Sequence, residues 1–100
     1  MIKGIWDSRQ VYINDRVLQP VYSQLVRNYS PDFNWGNMTS GSSQLSLALL
    51  LEYTNEEEAS KLNDAFKRDI ISELPTTDFE ITSDVIYSFL KKYKTYTKYE

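Results

Sequence analysis

A chain of 100 residues without a cysteine or a histidine forms no disulfide, offers no thiolate nucleophile and lacks the usual general base and zinc ligand, so only all-carboxylate metal sites stay open. Its 41% hydrophobic and 14% aromatic content suits one globular domain over residues 1–100, with a core that needs no metal or disulfide staple. Residues 91–100 hold four lysines and one glutamate, about +3, which leaves about −6 on the rest: an acidic body with a basic end, and a poor general binder of nucleic acid.

In chain order, residues 2–6 and 11–13 read as short strands, rich in β-branched and aromatic side chains. Asn14-Asp15 between Ile13 and Arg16 suits a two-residue hairpin turn, because both residue types tolerate positive φ. Pro20 stops the strand that follows. Residues 21–29 fit a short helix with Val21, Leu25 and Val26 on one face, and fit a strand almost as well.

Phe33 and Trp35 flank a corner, and a loop of small polar residues leads from Asn37 to Ser43. The helix expected over 42–53 is apolar on nearly every side, from Leu45 through Leu51, which marks it as central and buried. Ser40 or Gly41 is the expected cap. Thr54-Asn55-Glu56-Glu57 reads as a capping box opening a second helix that runs to Leu74, before Pro75. Ala59, Leu62, Phe66, Ile70 and Leu74 form its inward stripe, and Glu57–Lys61 and Asp64–Arg68 are acid-first pairs four apart. Phe79 to Ile81 is a strand, Thr82 a cap, and a third helix turns Val85, Ile86, Phe89, Leu90 and Tyr93 inward. The expected fold is α+β: a small antiparallel sheet on about three helices, with helix 42–53 in the middle.

The segment Trp35-Gly36…Ser40-Gly41…Gln44-Leu45-Ser46-Leu47-Ala48-Leu49-Leu50 resembles a family of small domains of unknown function from bacteria, phages and archaeal viruses. That family spells it F-x-W-G-Y-G-G-S-G-P-A-Q-L-A-L-A-I-L, and Asn37, Met38, Thr39 and Ser42 stand here for its Tyr, Gly, Gly and Pro. Phe79-Glu80-Ile81-Thr82…Ile86…Phe89-Leu90 is similar to the family's closing strand and helix. The resemblance implies the fold and carries no catalytic assignment. The tyrosine-rich, cysteine-free composition also resembles small proteins of crenarchaeal filamentous viruses.

Candidate sites are few. Trp35, Ser40, Gly41 and Ser42 lie where a loop meets a helix N-terminus, a place suited to an anion or a partner. The simpler reading is a corner closing over the core, with Ser40 or Ser42 satisfying free amides. Phe33 and Trp35 suit either a stacking platform or core cover. Lys91, Lys92, Tyr93, Lys94, Tyr96 and Lys98 interleave cations with aromatics, as a single-stranded nucleic-acid contact does; a solvated helix end looks the same. Glu56, Glu57 and Glu58 are consecutive, so a helix fans them apart. Glu52, Glu73, Asp78, Glu80 and Asp84 have no spacing that makes a catalytic pair or metal site.

The expectation is therefore a non-enzymatic protein-interaction module of viral or mobile-element origin, without metal or cofactor, that meets a protein partner as a monomer or homodimer. The alternative is a nucleic-acid accessory protein using the basic end. No stretch approaches the roughly 20 apolar residues of a membrane span, and the N-terminus lacks signal-peptide features, so an intracellular place is expected, the host cytoplasm if viral.

Overall fold

The computed structural model describes residues 1–97. β1 (Ile2–Ile5), β2 (Gln10–Ile13) and β3 (Arg16–Val17) form an antiparallel meander, and β4 (Phe79–Ile81) returns from far along the chain to pair with the free side of β1. The sheet order is β3-β2-β1-β4, antiparallel throughout. Alternation in β1, β2 and β4 buries Ile2, Val11, Ile13 and Phe79 on one face and leaves Lys3 and Glu80, 3.9 Å apart, on the other. The Asn14-Asp15 turn is present, with φ of 49° and 69°.

Residues 21–29 resolve as helix α1 (Val21–Val26), started by Pro20 and followed by extended chain from Arg27. α2 (Ser40–Tyr53) is the central element: every residue from Gly41 to Leu51 is buried. It begins two residues before the expected start, and its cap is Thr39 rather than Ser40 or Gly41. Gly41 lies where a Cβ would meet Asn34 Cβ at 2.8 Å, so the chain in front of the helix crosses it closely. Gln44 is buried within this helix and fully satisfied. Its Oε1 accepts from Tyr29 N (2.6 Å) and Ser30 N (3.0 Å), and its Nε2 donates to Ser23 Oγ (2.9 Å) and Arg27 O (3.1 Å). One side chain thus ties the whole α1 segment to α2.

α3 (Glu56–Phe66) opens on Asn55, whose Oδ1 accepts from Glu58 N at 2.9 Å. The expected Thr54 box does not form, because the Thr54 hydroxyl donates to Leu50 O at 2.6 Å and closes the end of α2. After Phe66 the chain winds through a π-helical turn, Lys67–Ile71. That wider turn moves the stripe by one position: Ile71 is fully buried, while Ile70 and Leu74, expected inward, are only partly covered. α4 (Ser83–Thr97) follows β4 and buries Ile86, Phe89 and Leu90, with Tyr93 and Val85 half-covered. Neither expected pair four apart is an ion pair among the described residues. Arg68 instead reaches its neighbour Asp69, Nε to Oδ1 at 3.0 Å.

Candidate functional site

The corner before α2 is packed inward. Trp35 is fully buried, its Nε1 donates to Thr77 O at 2.9 Å, and its ring stands edge-on to Phe79 (4.8 Å, 81°) and Trp6 (5.7 Å, 68°). Phe33 is buried as well, and so are Gly41 and Ser42; only Ser40 of the four candidate residues is exposed. The polar groups of the loop meet one another. Asn37 Oδ1 accepts from Thr39 Oγ1 (2.6 Å), Ser42 Oγ (2.7 Å) and Thr39 N (3.2 Å), so an internal carboxamide lies at the helix start. Arg9, at φ 60°, lays its guanidinium 3.3 Å from the Trp6 ring centroid, donates from Nε to Asn34 Oδ1 at 3.1 Å and bonds Trp6 O. These contacts close the sheet end over the core.

The carboxylates do not converge. Glu52 pairs with Arg16, Asp78 Oδ1 accepts from Trp6 N at 2.7 Å, and Glu80 faces Lys3. Asp84 lines an open groove with Asp69, Val85, Phe89 and Lys92, and Glu73 stands exposed after the π turn. Among the described residues, no group of three or more carboxylates is placed to hold a metal ion.

At the basic end, Lys91 and Lys92 are exposed on α4. Lys98 lies outside the described residues, as do the side chains of Lys94 and Tyr96. The lysine-tyrosine end has company that sequence reasoning did not assign to it. Lys61 of α3 lines a cavity of about 120 Å³ together with Tyr53, Thr54, Asn55, Glu58, Leu62, Leu90 and Tyr93. The Lys92 Nζ lies 5.9 Å from the Tyr93 ring centroid, and the Tyr93 hydroxyl reaches Asp69 Oδ2 at 3.4 Å. The Asp69 hydrogen bond and charge hold the exposed Arg68 guanidinium above its ordinary range, with Tyr93 beside it adding a smaller push. Tyr53 meets the exposed Tyr87 edge-on at 5.4 Å, and burial, then Tyr87 and Glu52, push the Tyr53 phenol up.

The face read in the sequence as Val21, Leu25 and Val26 together is divided in the structure: Val26 packs against the core while Val21 and Leu25 turn outward. On α1, Val21 is 63%, Tyr22 50% and Leu25 82% exposed, an apolar face on a helix anchored from below by Gln44. Apolar side chains in so short a run look like core, and only the Gln44 tie shows which side faces in. No helix among the described residues is long and apolar enough to cross a membrane.

Residues 4–92 match a family described as a family of unknown function (DUF6166). No curated protein and no solved structure matches the chain.

Proposed function

The chain belongs to that family of unknown function, and from this premise we propose that it works as a non-enzymatic protein-interaction module whose contact face is α1. The observation that carries the reading is the exposure of Val21, Tyr22 and Leu25 on a helix held rigidly by the buried Gln44 bonds. Leaving large apolar groups in water costs free energy, and a partner that covers such a face recovers it. Three side chains fall well short of the roughly 800 Å² a standard interface buries on each partner. They form its apolar centre, and Gln24, Arg27 and Asn28 supply a polar rim. We place the module in a virus or mobile element, inside the cell, on the strength of the sequence resemblance alone.

A photo-crosslinking amino acid at position 25, compared with one at Glu57 on α3, tests this in the native host cell. A discrete adduct from position 25, lost in Tyr22→Glu and absent from position 57, is the expected result. No adduct from position 25, or the same smear from both positions, would overturn it. An adduct of twice the chain mass would identify the partner as a second copy.

A further inference from the structure

We propose that the cavity between the α2–α3 turn and α4 binds a free α-amino acid with an apolar side chain, taking its ammonium and carboxylate groups together at the mouth. No residue of α1 lines this cavity, so the inference survives failure of the α1 reading.

The body of the cavity suits an apolar group. Two buried leucines, Leu62 and Leu90, and two half-buried tyrosines, Tyr53 and Tyr93, line its volume of about 120 Å³. Each tyrosine is itself held by another ring: Tyr53 by Tyr87, edge-on at 5.4 Å, and Tyr93 by Phe89 at 4.6 Å. Walls fixed in this way lose little freedom when a ligand enters, and they give an aromatic or branched side chain the ring contacts it prefers. The mouth carries one charge of each sign. Glu58 is half-buried and Lys61 exposed, three positions apart on one face of α3, the spacing at which an acid and a base ordinarily pair. Here both line the cavity, and among the described residues neither the Glu58 carboxylate nor the Lys61 ammonium has a hydrogen bond or ion pair. Asn55 adds a donor. Its Oδ1 is taken by the Glu58 main-chain N–H at 2.9 Å, and its Nδ2 has no partner among the described residues.

The charge balance selects the ligand. An anion that approaches Lys61 meets Glu58 as well, and a cation that approaches Glu58 meets Lys61. A ligand of one sign is therefore attracted by one group and repelled by the other. A neutral apolar compound fills the cavity and leaves both charges unanswered. An α-amino acid carries its two charges on neighbouring atoms, as close together as a pair three positions apart on a helix requires. Its ammonium answers Glu58, its carboxylate answers Lys61 and Asn55 Nδ2, and its side chain enters between the tyrosines.

NMR titration of the full, isotope-labelled chain at neutral pH tests this. The probes are L-phenylalanine, phenylpropionate (which lacks the ammonium), phenethylamine (which lacks the carboxylate) and glycine (which lacks the side chain). Phenylalanine is expected to bind with a dissociation constant on the order of 1 mM and to shift the amides of Tyr53, Asn55, Leu62 and Leu90. Each analogue with a single charge should bind about fivefold more weakly, the modest ratio that a partly exposed ionic contact gives, and glycine should not bind measurably. Glu58→Gln is expected to bring phenylpropionate level with phenylalanine, and Lys61→Met to do the same for phenethylamine. Neither side chain belongs to the core, so both variants read the site in a folded chain. Amides that stay unshifted at ~20 mM phenylalanine would overturn the proposal. So would analogues that bind as tightly as phenylalanine, or ratios that the two variants leave unchanged.

Discussion

Gly36 occupies the left-handed region at φ 74°, and a Cβ there would stand 2.9 Å from both Leu74 O and Thr76 Cγ2. Gly36→Ala therefore meets an unfavourable backbone and a fixed carbonyl together, and is expected to cost about 1–3 kcal/mol in urea unfolding. Gln44→Leu keeps the volume but strands Tyr29 N, Ser30 N and Arg27 O around an apolar side chain. Its expected cost is about 2–4 kcal/mol, read as a lower urea midpoint with an unchanged slope. Tyr53 gives a pH signature. Its folded pKa is raised above the unfolded value of 10.0, so the folded chain keeps the phenolic proton longer than the unfolded chain does. The contribution of this group is complete below pH 10 and declines as pH rises through the folded pKa. Tyr53→Phe should therefore lose less thermal stability than the parent between neutral and strongly alkaline pH; an identical decline in both proteins would refute it.

At the scale of elements, what could be read in advance follows from how local each cause is. The strands, the Asn14-Asp15 turn, the buried run of α2 and the closing strand and helix were legible, because alternation, turn chemistry and an all-round apolar helix are written within a few adjacent residues. Two of the three cap assignments missed, while Thr82 does stand just before α4, its O accepting from Val85 N at 3.2 Å. Several adjacent residues offered suitable side chains, and the choice fell to a tertiary neighbour in one case, Asn34 crossing Gly41, and to the preceding helix turn in the other, Leu50 O taking the Thr54 hydroxyl. The π turn left no mark in composition, since one extra residue in a hydrogen-bond ladder shows only as the exchange of Ile70 for Ile71 in the core. One turn before it, Asn63 is buried with neither its Oδ1 nor its Nδ2 hydrogen-bonded, although its main-chain O accepts from Ser46 Oγ at 3.0 Å. Replacing that amide by an apolar group of the same shape removes a desolvation cost and no partner. Asn63→Leu is expected to raise stability by about 1–2 kcal/mol, checked by calorimetry.

For the whole molecule, the segregation of charge could be counted from the sequence, but its three-dimensional form could not. Lys61 was read as the partner of Glu57 on one helix face; in the fold it borders a cavity shared with α4. Tyr53 and Tyr93 stand forty positions apart in the chain and wall the same space. Spacing rules reach along one element and say nothing about three that meet. The corner at Trp35 shows the opposite relation, since its sequence drew notice as a site and its burial shows it closing the core. The α1 face belongs to this scale too. Tyr22→Glu replaces a side chain that is 50% exposed, so the unfolding free energy should stay within about 0.5 kcal/mol of the parent while the crosslink from position 25 disappears.

The pairing of β1 with β4 joins Gly4 to Phe79 and Ile2 to Ile81, the longest reach in the sheet. During synthesis, β1 emerges 75 positions ahead of its partner in β4, Gly4 against Phe79, and waits, hydrogen-bonded on one side by β2, until β4 has been made. For that interval its open side is a template for any other extended chain nearby, including a second nascent copy. The rate of folding is then governed by the closing of this long loop rather than by the helices, which form from neighbours in sequence. A chain stopped before Phe79 would keep three strands and most of its helices yet leave the central strand exposed, and its fate would be aggregation or degradation instead of a smaller working domain.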